Sequence, residues 1–211
     1  GECVAVDFSY HTRPDGLRFI VAIFVDEASR WHIGRVLKES FDANSDEALG
    51  NADAEDVLTA LQNDWLRWMC TPKRPHVDSD GVFTSGKLAE LCARRHIRIV
   101  VCGGEARWQL GIVERHIGTL KDALAKLFLE DCNGDLTPQQ LVDLALEAKN
   151  QHFSHHGVAP AMWMNGRSHP LLQQDEVPPN LTGFSDFELH LARKTKASQA
   201  FHYADARSCL L

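Results

Sequence analysis

Seven consecutive apolar residues, Phe19-Ile20-Val21-Ala22-Ile23-Phe24-Val25, constrain the fold of this chain more than any other feature. A strand built from them has no polar face to offer water, so it must lie inside a sheet that is covered on both sides. The turn signal Arg13-Pro14-Asp15-Gly16 precedes the run, and Val4-Ala5-Val6-Asp7-Phe8 before it alternates in part, as a strand does. After a short break at Asp26 to Arg30, Trp31 to Leu37 is a third strand candidate. Three strands joined by short turns imply an antiparallel meander. With 211 residues, 44% of them hydrophobic, the chain can bury a core without disulfides or a structural metal, which excludes intrinsic disorder and a small stapled scaffold. The six cysteines, at 3, 70, 92, 102, 132 and 209, form no C-x-x-C pair and read as reduced core residues. No apolar run reaches the roughly 18 residues of a membrane span, and the start shows no signal region, so an intracellular protein is expected. The start at Gly1, without methionine, suggests a piece of a longer polypeptide.

Downstream the pattern changes. Eight carboxylates and no Lys or Arg fall between positions 39 and 64, first as a solvated loop. From Asp53 to Met69, Leu58, Leu61, Trp65 and Trp68 then form the stripe of an amphipathic helix. Pro75 to Asp78 is a short strand, Ser85 to His96 a helix carrying Leu88, Leu91 and Cys92 inward, and Ile97 to Cys102 another strand. That strand-helix-strand unit makes the last two strands parallel. A long helix comes next with Val113, Ile117, Leu120, Leu124 and Leu127 inward, ending near Asn133-Gly134. Thr137-Pro138 restarts a helix with Leu141, Leu144, Ala145 and Ala148 inward. Residues 157 to 182 read as irregular and 186 to 211 as a mildly amphipathic helix.

Asp7 in the first strand, Asp78 at the end of the fourth and Glu114 near the start of the long helix could meet at one end of the sheet. Thirty-five residues separate Asp78 from Glu114. The block Asp78-Ser79-Asp80-Gly81-Val82-Phe83-Thr84-Ser85 and the block Gly111-Ile112-Val113-Glu114-Arg115 resemble the two carboxylate blocks of the retroviral and retrotransposon integrase catalytic core. Leu120-Lys121 and the segment Ala148-Lys149-Asn150 through Gly157-Val158-Ala159-Pro160-Ala161-Met162-Trp163 to Asn165-Gly166-Arg167 extend the likeness to about four fifths of the chain.

The resemblance implies an α/β, ribonuclease-H-like three-layer fold with a five-stranded mixed sheet, three antiparallel strands then two parallel, flanked by helices. It implies a catalytic core over residues 1–170 with a partly helical C-terminal extension over 171–211. The activity it implies is metal-dependent polynucleotidyl transfer, DNA 3′-end processing and strand transfer, by part of a retroelement polyprotein working in the nucleus. Asp7, Asp78 and Glu114 would hold two Mg²⁺ or Mn²⁺ ions. Hard cations of this kind prefer carboxylate oxygens, and an ion pair activates both the attacking and the leaving oxygen of a phosphodiester. Lys121, Arg115, Gln109, Trp108 and Arg107 would contact DNA, with a homo-oligomer as the working form and neither a membrane nor a small-molecule substrate involved.

Residues 114, 118 and 121 share one helix face, on which Gly118 leaves room for a backbone to approach. Asp80 competes with Asp78 as the second ligand, since the family's common Asp-Asn-Gly stands here as Asp78-Ser79-Asp80-Gly81. His152, His155 and His156 are read as surface histidines, and Gly103-Gly104 as a hinge. Two rival readings are a decayed or domesticated integrase-like module that binds nucleic acid without catalysis, and a ribonuclease H, for which Glu55 would be the catalytic Glu. The net charge of −7 argues against a nucleic-acid partner, but residues 84 to 126 carry eight Lys/Arg against four Asp/Glu. That basic strip is expected to surround the site.

Overall fold

In the computed structural model the apolar run is the body of β2 (Arg18–Asp26), and every residue from Phe19 to Val25 is at most 1% exposed. The residues described are 3–41, 49–78, 81–83, 85–102, 110–131, 134–152 and 158–165. β2 pairs antiparallel with β1 (Cys3–Thr12) on one side and with β3 (His32–Ser40) on the other. β1 also pairs in parallel with β4 (Arg74–Asp78), and β4 in parallel with β5 (Val100–Cys102), giving the order β3-β2-β1-β4-β5. The expected mixed sheet, with three antiparallel strands followed by two parallel ones, is thus present. β1 runs four residues past Phe8 because Tyr10, His11 and Thr12 continue its ladder with Ile20, Phe19 and Arg18.

Strand alternation divides the core. Ala5, Phe19, Val21, Ile23 and Val25 face α3 (Gly111–Glu130) and α4 (Pro138–His152). Val4, Val6, Ala22 and Phe24 face the opposite layer, which contains α1 (Ala54–Ala60) and α2 (Gly86–Arg94). The acidic start of α1 is a capping box, in which the Asp53 carboxylate accepts from the Glu55 and Asp56 amides. α1 does not continue as an α-helix to Met69. Leu61–Leu66 form a π-helical turn, whose wider winding rotates the residues after it off the apolar stripe. Trp65 stays fully buried, whereas Trp68, expected on the same stripe, is 73% exposed. The fifth strand is shorter than expected, since Ile97 packs in the core beneath α2 and its amide caps that helix through Cys92 O at 2.8 Å. Of the four described cysteines, all of them free, Cys92 and Cys102 are buried but Cys70 is exposed.

α4 lies along the outer edge of the sheet, with Gly34 as the point of closest approach. A Cβ there would stand 2.6 Å from Leu146 Cδ1 and 2.9 Å from Val142 Cγ1. Two side-chain amides of this helix bind the outward backbone groups of β3. Asn150 accepts from the His32 amide at 2.9 Å and donates to the His32 carbonyl at 2.8 Å. Gln139 accepts from the Val36 amide at 2.8 Å and donates to the Gly34 carbonyl at 3.1 Å. A buried ion pair ties the β1–β2 turn to the α3–α4 connection. The Arg13 guanidinium donates to Leu136 O at 2.9 Å and lies 3.6 Å from Asp131 Oδ2, both side chains being almost inaccessible. Gly134, at φ 69°, passes so close that a Cβ would stand 2.6 Å from Arg13 Nη2. α5 (Pro160–Asn165) completes the described chain.

Candidate active site

The parallel ladder of β1 and β4 ends on Val6 opposite Val77, so Asp7 and Asp78 are the next residues of two adjacent strands. Val6 and Val77 both sit in the core on the α1 and α2 side. Alternation therefore sends both carboxylates to the other face, the one that α3 covers. Cys102, in register with Asp78 on β5, belongs to that face too. α3 supplies Glu114 from its first turn, where the positive end of the helix dipole favours a carboxylate. Val113 and Ile117 bury themselves beside it and fix its direction.

Electrostatics couple Asp7 to the other two carboxylates. Its carboxyl is raised above the ordinary carboxylate range, first by burial and then by the negative charges of Asp78 and Glu114. Opposing these are the Phe8 amide, which donates to Asp7 Oδ1 at 2.7 Å, and the positive charge of Lys121. Burial, with the same ammonium second, pushes His11 down to about 4. Lys121 therefore acts on β1 at both Asp7 and His11, while the His11 ring stacks on Phe19 at 5.2 Å. Gly118 lies between Glu114 and Lys121, and a Cβ there would meet nothing within 4 Å, so this part of the helix face is open. Asp7 and Asp78 are half-buried, and Glu114 and Lys121 are exposed. Three carboxylates from three segments, opposed by one cation, stand where a ligand can reach them.

The other expected site residues divide. Arg115 is exposed, and its charge is felt at Arg30, in the β2–β3 turn. Arg107, Trp108, Gln109, Asp80, the Gly103-Gly104 pair, His155 and His156 lie outside the described residues. Glu55 is bound to Lys87 at 2.7 Å, on the layer opposite Asp7, and is not among the charges acting on Asp7. Of the described cations between 84 and 126, Lys121 is felt at Asp7, but the strip does not gather there as a whole. Arg94, Arg95 and Arg98 follow α2 down to the end of the sheet where β4 begins, away from Asp78 at the end of that strand.

Sequence reasoning missed a buried polar cluster behind α3. Lys149, fully inaccessible, donates from Nζ to Arg30 O at 2.8 Å and contacts His32 Nδ1. The His32 ring meets His116 edge-on at 4.3 Å, two residues beyond Glu114. Burial pushes both Lys149 and His32 well below their ordinary values. The signal was the position of Lys149, one helical repeat after the inward Ala145.

Among the described residues, no three His, Cys, Asp or Glu side chains stand close enough together to hold a metal ion. The donor set nevertheless fits a hard divalent cation, since Asp7, Asp78 and Glu114 offer only carboxylate oxygens and Asp7 feels the other two as repulsion.

A five-stranded mixed sheet in this order, with helices on both faces and carboxylates on adjacent β1 and β4, has the ribonuclease-H-like architecture. Among solved structures the same fold is found in retroviral integrase catalytic cores. The catalytic core domain of HTLV-2 integrase in complex with magnesium, in its trimeric form, aligns with a TM-score of 0.59 at 19% identity over 77% of this chain and 94% of that one. The BIV integrase core aligns with a TM-score of 0.57 at 20% identity over 77% of this chain and 92% of that one. The simian T-cell lymphotropic virus intasome, in complex with PP2A regulatory subunit B56 gamma, aligns with a TM-score of 0.63 at 17% identity over 84% of this chain and 58% of that one. Comparison with protein-family models gives no match, and neither does comparison with curated protein sequences.

Proposed function

We propose that this chain is an integrase-type catalytic core, a metal-dependent polynucleotidyl transferase that trims DNA 3′ ends and joins them to a target phosphodiester. The observation that carries this reading is Asp7 beside Asp78 on adjacent parallel strands, with the charges of Asp78, Glu114 and Lys121 all felt at Asp7, on a fold shared with integrase cores. Asp7, Asp78 and Glu114 would hold two magnesium or manganese ions. Such ions polarise the scissile phosphate and promote ionisation of the attacking hydroxyl. Lys121, seven residues from Glu114 on the same helix face, draws the DNA backbone toward the carboxylates. Residues 1–170 would form the core of a retroelement polyprotein acting in the nucleus. The test is transfer of a labelled DNA 3′ end by the purified chain. Product that forms with Mn²⁺ or Mg²⁺ and vanishes with chelator is the expected result, and product insensitive to chelator sinks the reading.

Self-association belongs to the same proposal, since the HTLV-2 core is known in dimeric and trimeric forms. A cavity of about 580 Å³ opens on the outer side of β3, lined by Trp31, Trp68, Met69 and Met164 among others. Trp68 at 73% and Trp163 at 63% exposure leave large indoles in water, as interface anchors do. The double variant Trp68→Asp/Trp163→Asp is expected to sediment as a monomer at concentrations where the parent chain associates. Unchanged association would move the interface elsewhere.

A further inference from the structure

We propose that the end of the sheet where β4 and β5 begin is a second surface for duplex DNA, separate from the carboxylate site. Three segments bring cations together there. α2 ends in Arg94 and Arg95, and the chain turns at His96 in the left-handed region, φ 55°. The Arg98 amide then donates to Lys73 O at 2.9 Å, which holds the lead-in of β5 beside that of β4. Lys73, Arg74, Arg94, Arg95, His96 and Arg98 are all exposed.

A bland explanation covers only part of this. Cations in the last turn of α2 suit the helix dipole, and Arg94 is paired with Glu90 at 2.5 Å. Neither reason reaches Arg74, the first residue of β4, or Arg98, on the lead-in of β5. Arg74, Arg95 and Arg98 have no ion pair with a described carboxylate. Like charges crowded by a backbone hydrogen bond cost free energy unless a polyanion meets them.

The composition selects the partner. Four of the five permanent cations are arginines, whose planar forks match phosphate oxygens two at a time. β4 places this surface about 13 Å from Asp78 along the strand, too far for one phosphate to touch both but within the span of one duplex. The choice of DNA over another polyanion rests on the transferase reading, although the surface itself does not involve the carboxylates.

The experiment is fluorescence anisotropy of the full chain on a non-specific duplex of about 20 bp, in chelator, across a salt series. The variants are Arg74→Gln/Arg95→Gln/Arg98→Gln and, for comparison, Lys121→Gln. The triple variant is expected to weaken binding by about 10- to 100-fold at low salt and to flatten the log–log salt slope by about 3, against about 1 for Lys121→Gln. A slope unchanged by the triple substitution overturns the proposal. So does a triple variant that loses poly-glutamate or anionic vesicles while keeping the duplex. The residues are exposed, and an unchanged melting temperature confirms that the variant folds. Metal-dependent strand transfer is measured in parallel on the parent chain. Chelator-insensitive product with the expected slopes would remove the transferase reading and leave this surface standing; transfer with unaltered slopes would do the reverse.

Discussion

Asp7→Asn is expected to lower metal-dependent strand transfer by about 10³-fold, since a lost ligand removes several kcal/mol of transition-state stabilisation. Asp7 is the residue of choice because the charges of Asp78, Glu114 and Lys121 are all felt there. A structural role and a chemical role separate cleanly there. The Asp7 carboxyl is raised above its ordinary value, so the folded chain holds its proton more tightly than the unfolded chain does. The ionised form is thus a burden on the fold at neutral pH, and its removal relieves repulsion. The melting temperature of Asp7→Asn should hold or rise while activity collapses, and added Mn²⁺ should no longer raise it. An inactive variant that also melts much earlier would show that Asp7 serves the fold and not the reaction. A variant with full activity would remove it from the site.

Lys149→Met should be the most stabilising single change in the chain, by about 2 kcal/mol. Methionine keeps the stem packed between α4 and β3 while removing an amine whose charge burial disfavours. The Arg30 carbonyl keeps a partner, because His32 Nδ1 also reaches it, at 2.5 Å. The sign of the pH dependence comes from the lowered value of Lys149. Below the unfolded-state pKa of about 10.4 the unfolded chain binds a proton that the folded chain rejects, so the parent gains stability as pH rises through this range. The advantage of Lys149→Met should therefore shrink as pH climbs toward 10, by up to about 1.4 kcal/mol per unit. Chemical denaturation at a series of pH values measures it. A constant difference would mean that Lys149 keeps its charge in the fold.

What the sequence revealed, and what it hid, depends on the reach of each signal. The run from Phe19 to Val25 and the stripe from Val113 to Leu127 are periodic patterns enforced by burial, and both elements stand where those patterns put them. The placement of Asp7 beside Asp78 was legible because two neighbouring parallel strands carry them at the same level, and both the Asp78 and Glu114 charges are felt at Asp7. Trp68 escaped because one π-helical turn changes the phase of a stripe without altering its spacing in sequence. The course of Arg94, Arg95 and Arg98 escaped for a different reason. Summed charge along a segment says nothing about which end of a strand the segment reaches, and α2 carries these residues back past the length of β4. Lys149 was hidden because a basic residue near a helix C-terminus ordinarily points to water.

The amides of Gln139 and Asn150 occupy the polar groups that β3 would otherwise present to a sixth strand. An open sheet margin is a template on which further copies can stack without limit, and here α4 has filled it with two side chains. Any association between copies is thereby steered toward side-chain surfaces and away from continuous hydrogen-bonded ribbons. A margin filled in this way refuses growth by strand addition.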